Sequence, residues 1–201
     1  LPLIYQLLPY IKVSRELGRL NISLKDVIRY GNNDVFLRMT QNIEQQKGFA
    51  PIDETLLQAN PNARYLGSPQ RLFLRYRFKY SNYVSVGFTA EKDAGEEFFR
   101  GTQKQGFDYM SAHISVRNIG RMKSLNLGDY LAQFGQGLTF WSGFAFGKTA
   151  DALNVKRSAV GLKPYTSVNE NLFLRGIANS WRLGKWFEIT GFYSDKKVNA
   201  S

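Results

Sequence analysis

The single histidine of the chain, His113, stands two residues from Ser111, so on a strand the two side chains share a face and can meet Asp108 or Asp129. Serine, histidine and carboxylate are the parts of a hydrolase triad. No nucleophile elbow or oxyanion motif accompanies them, and a lone histidine among serines is more often a hydrogen-bonding spacer. Glu91, Asp93, Glu96 and Glu97 form an acidic cluster able to coordinate Ca²⁺. They lack the EF-hand spacing and read more simply as a solvated loop. Asp129 beside Tyr130 has no basic partner identifiable in the sequence, which favours a structural hydrogen bond over catalysis. Phe134-Gly135-Gln136-Gly137 has neither the spacing nor the lysine of a phosphate-binding loop. With no cysteine and one histidine, disulfides, thiolate metal sites and His-rich clusters are excluded, and neither a cofactor nor a metal is expected.

Charge points to a different chemistry. The 201 residues carry 27 Lys and Arg against 16 Asp and Glu, a net +11, which favours polyanions such as nucleic acid, phosphate groups or lipopolysaccharide. Arg75, Tyr76, Arg77, Phe78, Lys79 and Tyr80 interleave cations with aromatics, as single-stranded nucleic-acid binders do. A strand puts the two types on opposite faces, whereas a stacking platform needs them on one. Lys148, Lys156, Arg157 and Lys163 make the loop 147–164 a better anion-binding surface, one that would meet lipopolysaccharide phosphates from the outside of a cell.

The elements that must position these residues are strands. Residues 1–31 read as a helical lead-in: Ile4, Leu7, Leu8 and Ile11 fall at helical spacing, and Ser23 can cap a short helix that Gly31 closes. From Asp34 onward the period is two, in seven runs at about 34–45, 71–80, 83–92, 107–118, 121–146, 171–182 and 185–195. In the run 72–80 the even positions are apolar or aromatic while Arg75, Arg77 and Lys79 share the odd face. Val84, Val86, Phe88 and Ala90 oppose Ser85, Gly87, Thr89 and Glu91 in the next run. Met110, Ala112, Ile114 and Val116 oppose Ser111, His113, Ser115 and Arg117 in the one after. Short links at 81–83, 119–120 and 183–184 alternate with long polar links at 46–70, 93–106 and 147–170. The run 121–146 changes phase at Gly128-Asp129, where a β-bulge would restore register, and Gly135 and Gly137 permit further kinks.

No apolar run is long enough for a transmembrane helix, but alternating strands escape that test. Runs of about 9–12 residues, aromatics near their ends (Tyr80, Phe88, Phe146, Tyr193), and short turns opposite long loops describe an antiparallel up-and-down transmembrane β-barrel. Residues 32–201 would supply about seven strands of it, with Arg38, Arg75, Arg77, Lys79, Arg117 and Arg175 giving the lumen a cationic lining. Seven strands do not close a single-chain bacterial barrel, so the chain reads as a piece of a longer protein.

Several ordered segments resemble a known family: Arg75-Tyr76-Arg77-Phe78, Gly87-Phe88-Thr89-Ala90-Glu91-Lys92-Asp93-Ala94-Gly95-Glu96, Phe98-Phe99-Arg100-Gly101, and Gly128-Asp129-Tyr130 with Phe134-Gly135-Gln136-Gly137-Leu138. They resemble the barrel region of helix-hairpin-helix domain-containing outer-membrane proteins of Bacteroidota, over roughly residues 25–195. The resemblance implies an outer-membrane location, a signal peptide, a periplasmic helix-hairpin-helix region before the barrel and further strands after it. The expectation is a channel, transport or secretion component, or a scaffold within an outer-membrane complex. Its expected partners are outer-membrane lipid and lipopolysaccharide and other outer-membrane or periplasmic proteins. Surface DNA handling and an outer-membrane hydrolase are the alternatives.

Overall fold

A computed structural model describes residues 23–60, 63–101, 104, 106–144 and 157–197. Its first element is helix α1 (Leu24–Tyr30), which begins where the Ser23 hydroxyl accepts the Lys25 N–H at 3.2 Å. The helix expected around Ile4–Ile11 lies outside the described residues. Eight strands follow: β1 (Asn32–Thr40), β2 (Arg71–Tyr80), β3 (Val84–Lys92), β4 (Tyr109–Ile119), β5 (Met122–Gln133), β6 (Gly161–Pro164), β7 (Leu174–Leu183) and β8 (Phe187–Ser194). A 3₁₀ turn (Lys47–Phe49) and helix α2 (Glu54–Ala59), capped by the Asp53 carboxylate, occupy the β1–β2 link.

All strand pairings are antiparallel, and the sheet runs β1-β2-β3-β4-β5-β7-β8 with β6 attached to β5. The sheet is open. β1 and β8 form its edges, and β1 is exposed along its whole length, including Val35, Leu37 and Met39.

Three tight turns lie at one end. Tyr80 pairs with Val84 across Ser81, Asn82 and Tyr83. The next turn closes one residue later than the sequence suggests, on Gly120-Arg121, because Ile119 pairs with Met122; Gly120 supplies the left-handed residue with φ 59°. The last turn holds three residues, 184–186, rather than two, since Leu183 pairs with Phe187. The reason is parity: the outward residues of β7 (Ile177, Trp181) are already odd, as are those of β8 (Ile189, Tyr193), and only an odd loop preserves parity.

Two further expectations change. The long run 121–146 stops as a strand at Gln133, after which the left-handed glycines Gly135 and Gly137 turn the chain away. The link 147–170 is not all loop, because β6 forms inside it. Tyr130 pairs with Pro164 on one edge and Leu174 on the other, so β6 stands on the edge of β5 that β4 has left; the β4 ladder ends at His113↔Gly128.

The registers align side chains into rows. One level reads Phe78–Val86–Ile114–Leu127–Ile177–Tyr193 from β2 to β8. The next level reads Lys79–Ser85–Ser115–Asn126–Ala178–Phe192 and lies on the opposite face. The first row is continuously apolar.

Candidate functional site

Apart from two apolar clusters, one of Tyr130, Ala132, Leu162 and Ala178 and one of Tyr109, Tyr165 and Phe173, the middle of the sheet inverts the polarity of a protein that folds around an oily core in water. Ser111, His113 and Ser115 are 3%, 6% and 1% exposed, while Ile114, Leu127 and Ile177 are 46%, 36% and 45% exposed. Thr89, Ser124, Asn126 and Ser180 are buried as well. Burying hydroxyls and amides while leaving aliphatic side chains bare is unfavourable against water. The same arrangement is favourable where the apolar face meets hydrocarbon and the polar face lines an interior.

The polar face is covered by the chain's own segment 161–173. Leading out of β6, Tyr165 donates its N–H to the Asp129 carbonyl at 2.9 Å, and the Thr166 carbonyl accepts from Arg75 Nη2 at 3.1 Å. The Ser167 carbonyl accepts from the Tyr109 hydroxyl at 3.1 Å. Asp129 belongs to β5 and Arg75 to β2, so the segment spans the polar face from one strand to the other. Its Tyr165 ring stacks on Phe173 at 4.7 Å, Phe173 meets Tyr109 edge-on at 6.2 Å, and all three are buried. Burial pushes the Tyr165 phenol above its usual value.

Where β4 and β5 part, Asp129 fills the gap. Its carboxylate is 1% exposed and accepts the Ala112 N–H at 3.2 Å, Arg175 Nε at 2.7 Å and Arg175 Nη2 at 3.0 Å. Arg175 also donates to the Met110 carbonyl at 2.9 Å and lies over the Phe173 ring. The side chain thereby ties β7 to β4 across β5. The basic partner that Asp129 lacks in the sequence is thus Arg175, directly opposite it in the β5–β7 register. At the phase change, Gly128 (φ 87°) faces Gly176 (φ 152°), and the β5–β7 register runs through unbroken; the register shift lies at Met122/Ser124. Gly135 and Gly137 sit beyond the strand, where the Gln136 amide exchanges two hydrogen bonds with the Arg157 backbone.

The triad of the sequence is not brought together as such. Ser111 and His113 share the polar face, but the His113 ring faces Ser85 of the neighbouring strand, Nε2 to Oγ 3.3 Å, and packs on Gly87. The Asp129 carboxylate is committed to Arg175 and Ala112. Two of the acidic residues are engaged locally. Asp93 pairs with Arg71 at 2.6 Å, and the Glu96 carboxylate accepts the Asp93 N–H at 2.8 Å. Burial pushes the Glu96 carboxyl above its ordinary value against the pull of that hydrogen bond. Among the described residues no group of three or more His, Asp or Glu side chains is placed to hold a metal ion.

Of the six basic residues proposed for a lumen, Arg38, Arg75, Arg77, Lys79 and Arg117 fall on the polar face by register. Arg38 and Arg75 stack on the Phe73 ring at 5.1 and 4.9 Å. Arg77 pairs with Asp34 at 2.9 Å. Arg175 is spent on Asp129. Of the loop expected to bind anions, Lys148 and Lys156 lie outside the described residues, Arg157 stacks on Trp141, and Lys163 is in β6.

Two cavities flank this face. One of about 500 Å³ lies at the long-loop end between residues 40–46 and Phe49, Tyr65, Pro69 and Arg71; the only basic side chain lining it, Arg71, is neutralised by Asp93. The other, about 330 Å³, lies at the tight-turn end. It gathers Arg77, Lys79, Arg117 and Lys163 with Ser85 and Ser115, and among the described residues no carboxylate lines it. Ser115 and Asn126 were not singled out by sequence reasoning. They face each other across β4 and β5, fully buried, and among the described residues neither the Ser115 hydroxyl nor either Asn126 amide atom has a hydrogen-bond partner. A polar residue at a buried strand position is the signal that could have found them.

No protein-family model matches this chain, no curated protein matches it, and no solved structure matches it. The fold and the site therefore carry the functional reading.

Proposed function

We propose that the chain forms part of the wall of a bacterial outer-membrane β-barrel, with its apolar face toward lipid and its cationic polar face toward the lumen. It would serve there as a channel, transport or secretion component, or as a scaffold in an outer-membrane complex. The observation that supports this most strongly is the inverted polarity: buried Ser111, His113, Ser115 and Asn126 behind an exposed row of Ile114, Leu127 and Ile177. The alternation of tight turns with long links agrees with it. The edges β1 and β8 are unpaired, so closure calls for strands from further chain or from a partner. The segment 161–173 would then be an inward-folded plug, and the basic face would attract anions.

The test is to fractionate membranes containing the full-length protein, follow its mobility before and after boiling, and record conductance in planar bilayers. Outer-membrane fractionation with a heat-dependent shift is expected, and a channel would lose anion preference on neutralising Arg75 and Arg77 together. A soluble protein of unchanged mobility would refute the wall. An inserted barrel without conductance would leave the scaffold role.

A further inference from the structure

We infer that the cavity at the tight-turn end is a binding site for a phosphate-type oxyanion carried on a small body, held by Lys79, Arg117 and Lys163 with the Ser115 hydroxyl at its floor. This goes beyond the wall reading, and it stands whether or not the sheet closes in a bilayer, since it is built within one chain.

Three observations converge. First, the lining brings four cations from three separate strands into one hollow: Arg77 and Lys79 of β2, Arg117 of β4 and Lys163 of β6. Arg77 is answered by Asp34, but Lys79, Arg117 and Lys163 make no ion pair among the described residues, and no Asp or Glu lines the cavity. Like charges gathered without a counter-charge repel one another, and a bound anion relieves that repulsion.

Second, the cavity holds an unused donor. Ser115 is 1% exposed, lines the hollow, and its Oγ has no partner among the described residues. Buried hydroxyls are almost always hydrogen-bonded, and one left unmade beside a cationic hollow marks the place of an acceptor from outside the chain. Directly across from it the Asn126 amide is equally unpartnered, and the buried Arg75 Nε on the same face has no partner either. Of these, the Ser115 hydroxyl and the Arg75 Nε–H are donors that an oxyanion can use.

Third, the hollow is held in shape. The Tyr83 carbonyl accepts the Arg117 N–H at 2.7 Å, which locks the β2–β3 turn against β4, and the Arg75 bond to Thr166 fixes the wall beside Lys163. A volume of about 330 Å³ falls at the small end of the roughly 300–1,000 Å³ of small-molecule sites, enough for a phosphoryl group with a compact body beside Tyr83, Val84 and Pro164.

The experiment titrates the full-length folded protein at low ionic strength with inorganic phosphate and, separately, with a short-chain phosphatidate below its micelle concentration, by calorimetry. Saturable binding at one site is expected, weakened at least tenfold in the pair Arg117→Gln with Lys163→Gln and severalfold in Ser115→Ala. The pair Arg121→Gln with Arg182→Gln removes equal charge outside the cavity and leaves the affinity unchanged. Boiling-dependent mobility or circular dichroism confirms that each variant is folded. Tighter binding of phosphatidate assigns the site to a lipid headgroup, and tighter binding of inorganic phosphate to a soluble ligand. Absence of saturable binding to the wild type, or equal losses in the two pairs, would overturn the site and leave only diffuse charge.

Discussion

The two ends of the polar face solve the same problem in opposite ways. At the loop end a buried carboxylate, Asp129, meets Arg175 and a backbone N–H, and three aromatic rings seal the pair. At the turn end, Lys79, Arg117 and Lys163 gather beside the Ser115 hydroxyl, which faces the Asn126 amide, and among the described residues no acid lines the cavity and neither group has a hydrogen-bond partner. Charge compensated by local partners holds strands together; charge and donors left uncompensated are available to something else. The contrast separates scaffold from site on a face whose residues look alike in the sequence.

The largest effect should come from breaking the satisfied end. Arg175→Met strands the Asp129 carboxylate in a buried position, which costs about 3–5 kcal/mol as for other broken buried pairs. Asp129→Asn keeps an acceptor for Ala112 and leaves a half-exposed Arg175 able to reach water, so its loss should be smaller, about 1–3 kcal/mol. Urea titration of the folded protein, read by the mobility of unboiled samples, gives both numbers. Equal losses would mean that the pair is not the tie between β7 and β4.

The opposite end should respond with the other sign. Asn126→Leu replaces an amide with no partner by an apolar side chain, so stability should hold or rise by about 1 kcal/mol. A loss of several kcal/mol in the same titration would show that the amide is satisfied after all.

The smallest effect concerns the loop after β3. Burial raises the Glu96 carboxyl in the fold, so its neutral form favours folding. That contribution is complete below the ordinary carboxylate range and fades as pH rises through the raised value. Glu96→Gln fixes the neutral form and should flatten stability against pH in that interval, and an unchanged slope would place the titration elsewhere.

The alternation that sets which residues share a face was legible in the sequence, because a strand's period of two needs no knowledge of its partners. The pairing of Asp129 with Arg175 was not, since it depends on a register across 46 residues that the insertion of β6 leaves open. For the same reason the sequence places Lys163 in a loop, whereas it stands in β6 and lines one cavity with Lys79 and Arg117. At 184–186 the glycine suggests a two-residue loop, whereas the apolar parity of Ile177, Trp181, Ile189 and Tyr193 dictates three.

The most direct test of the inverted sheet uses the absence of native cysteine. Single substitutions on the apolar row (Ile114→Cys, Leu127→Cys, Ile177→Cys) and on the polar face (Ser111→Cys, Ser115→Cys, Ser180→Cys) can be fluorescently labelled in protein reconstituted into vesicles with and without nitroxide-bearing lipids. With the apolar row toward lipid, quenching is confined to that row and alternates residue by residue along β4. Quenching of neither set, or of the polar face instead, would contradict it.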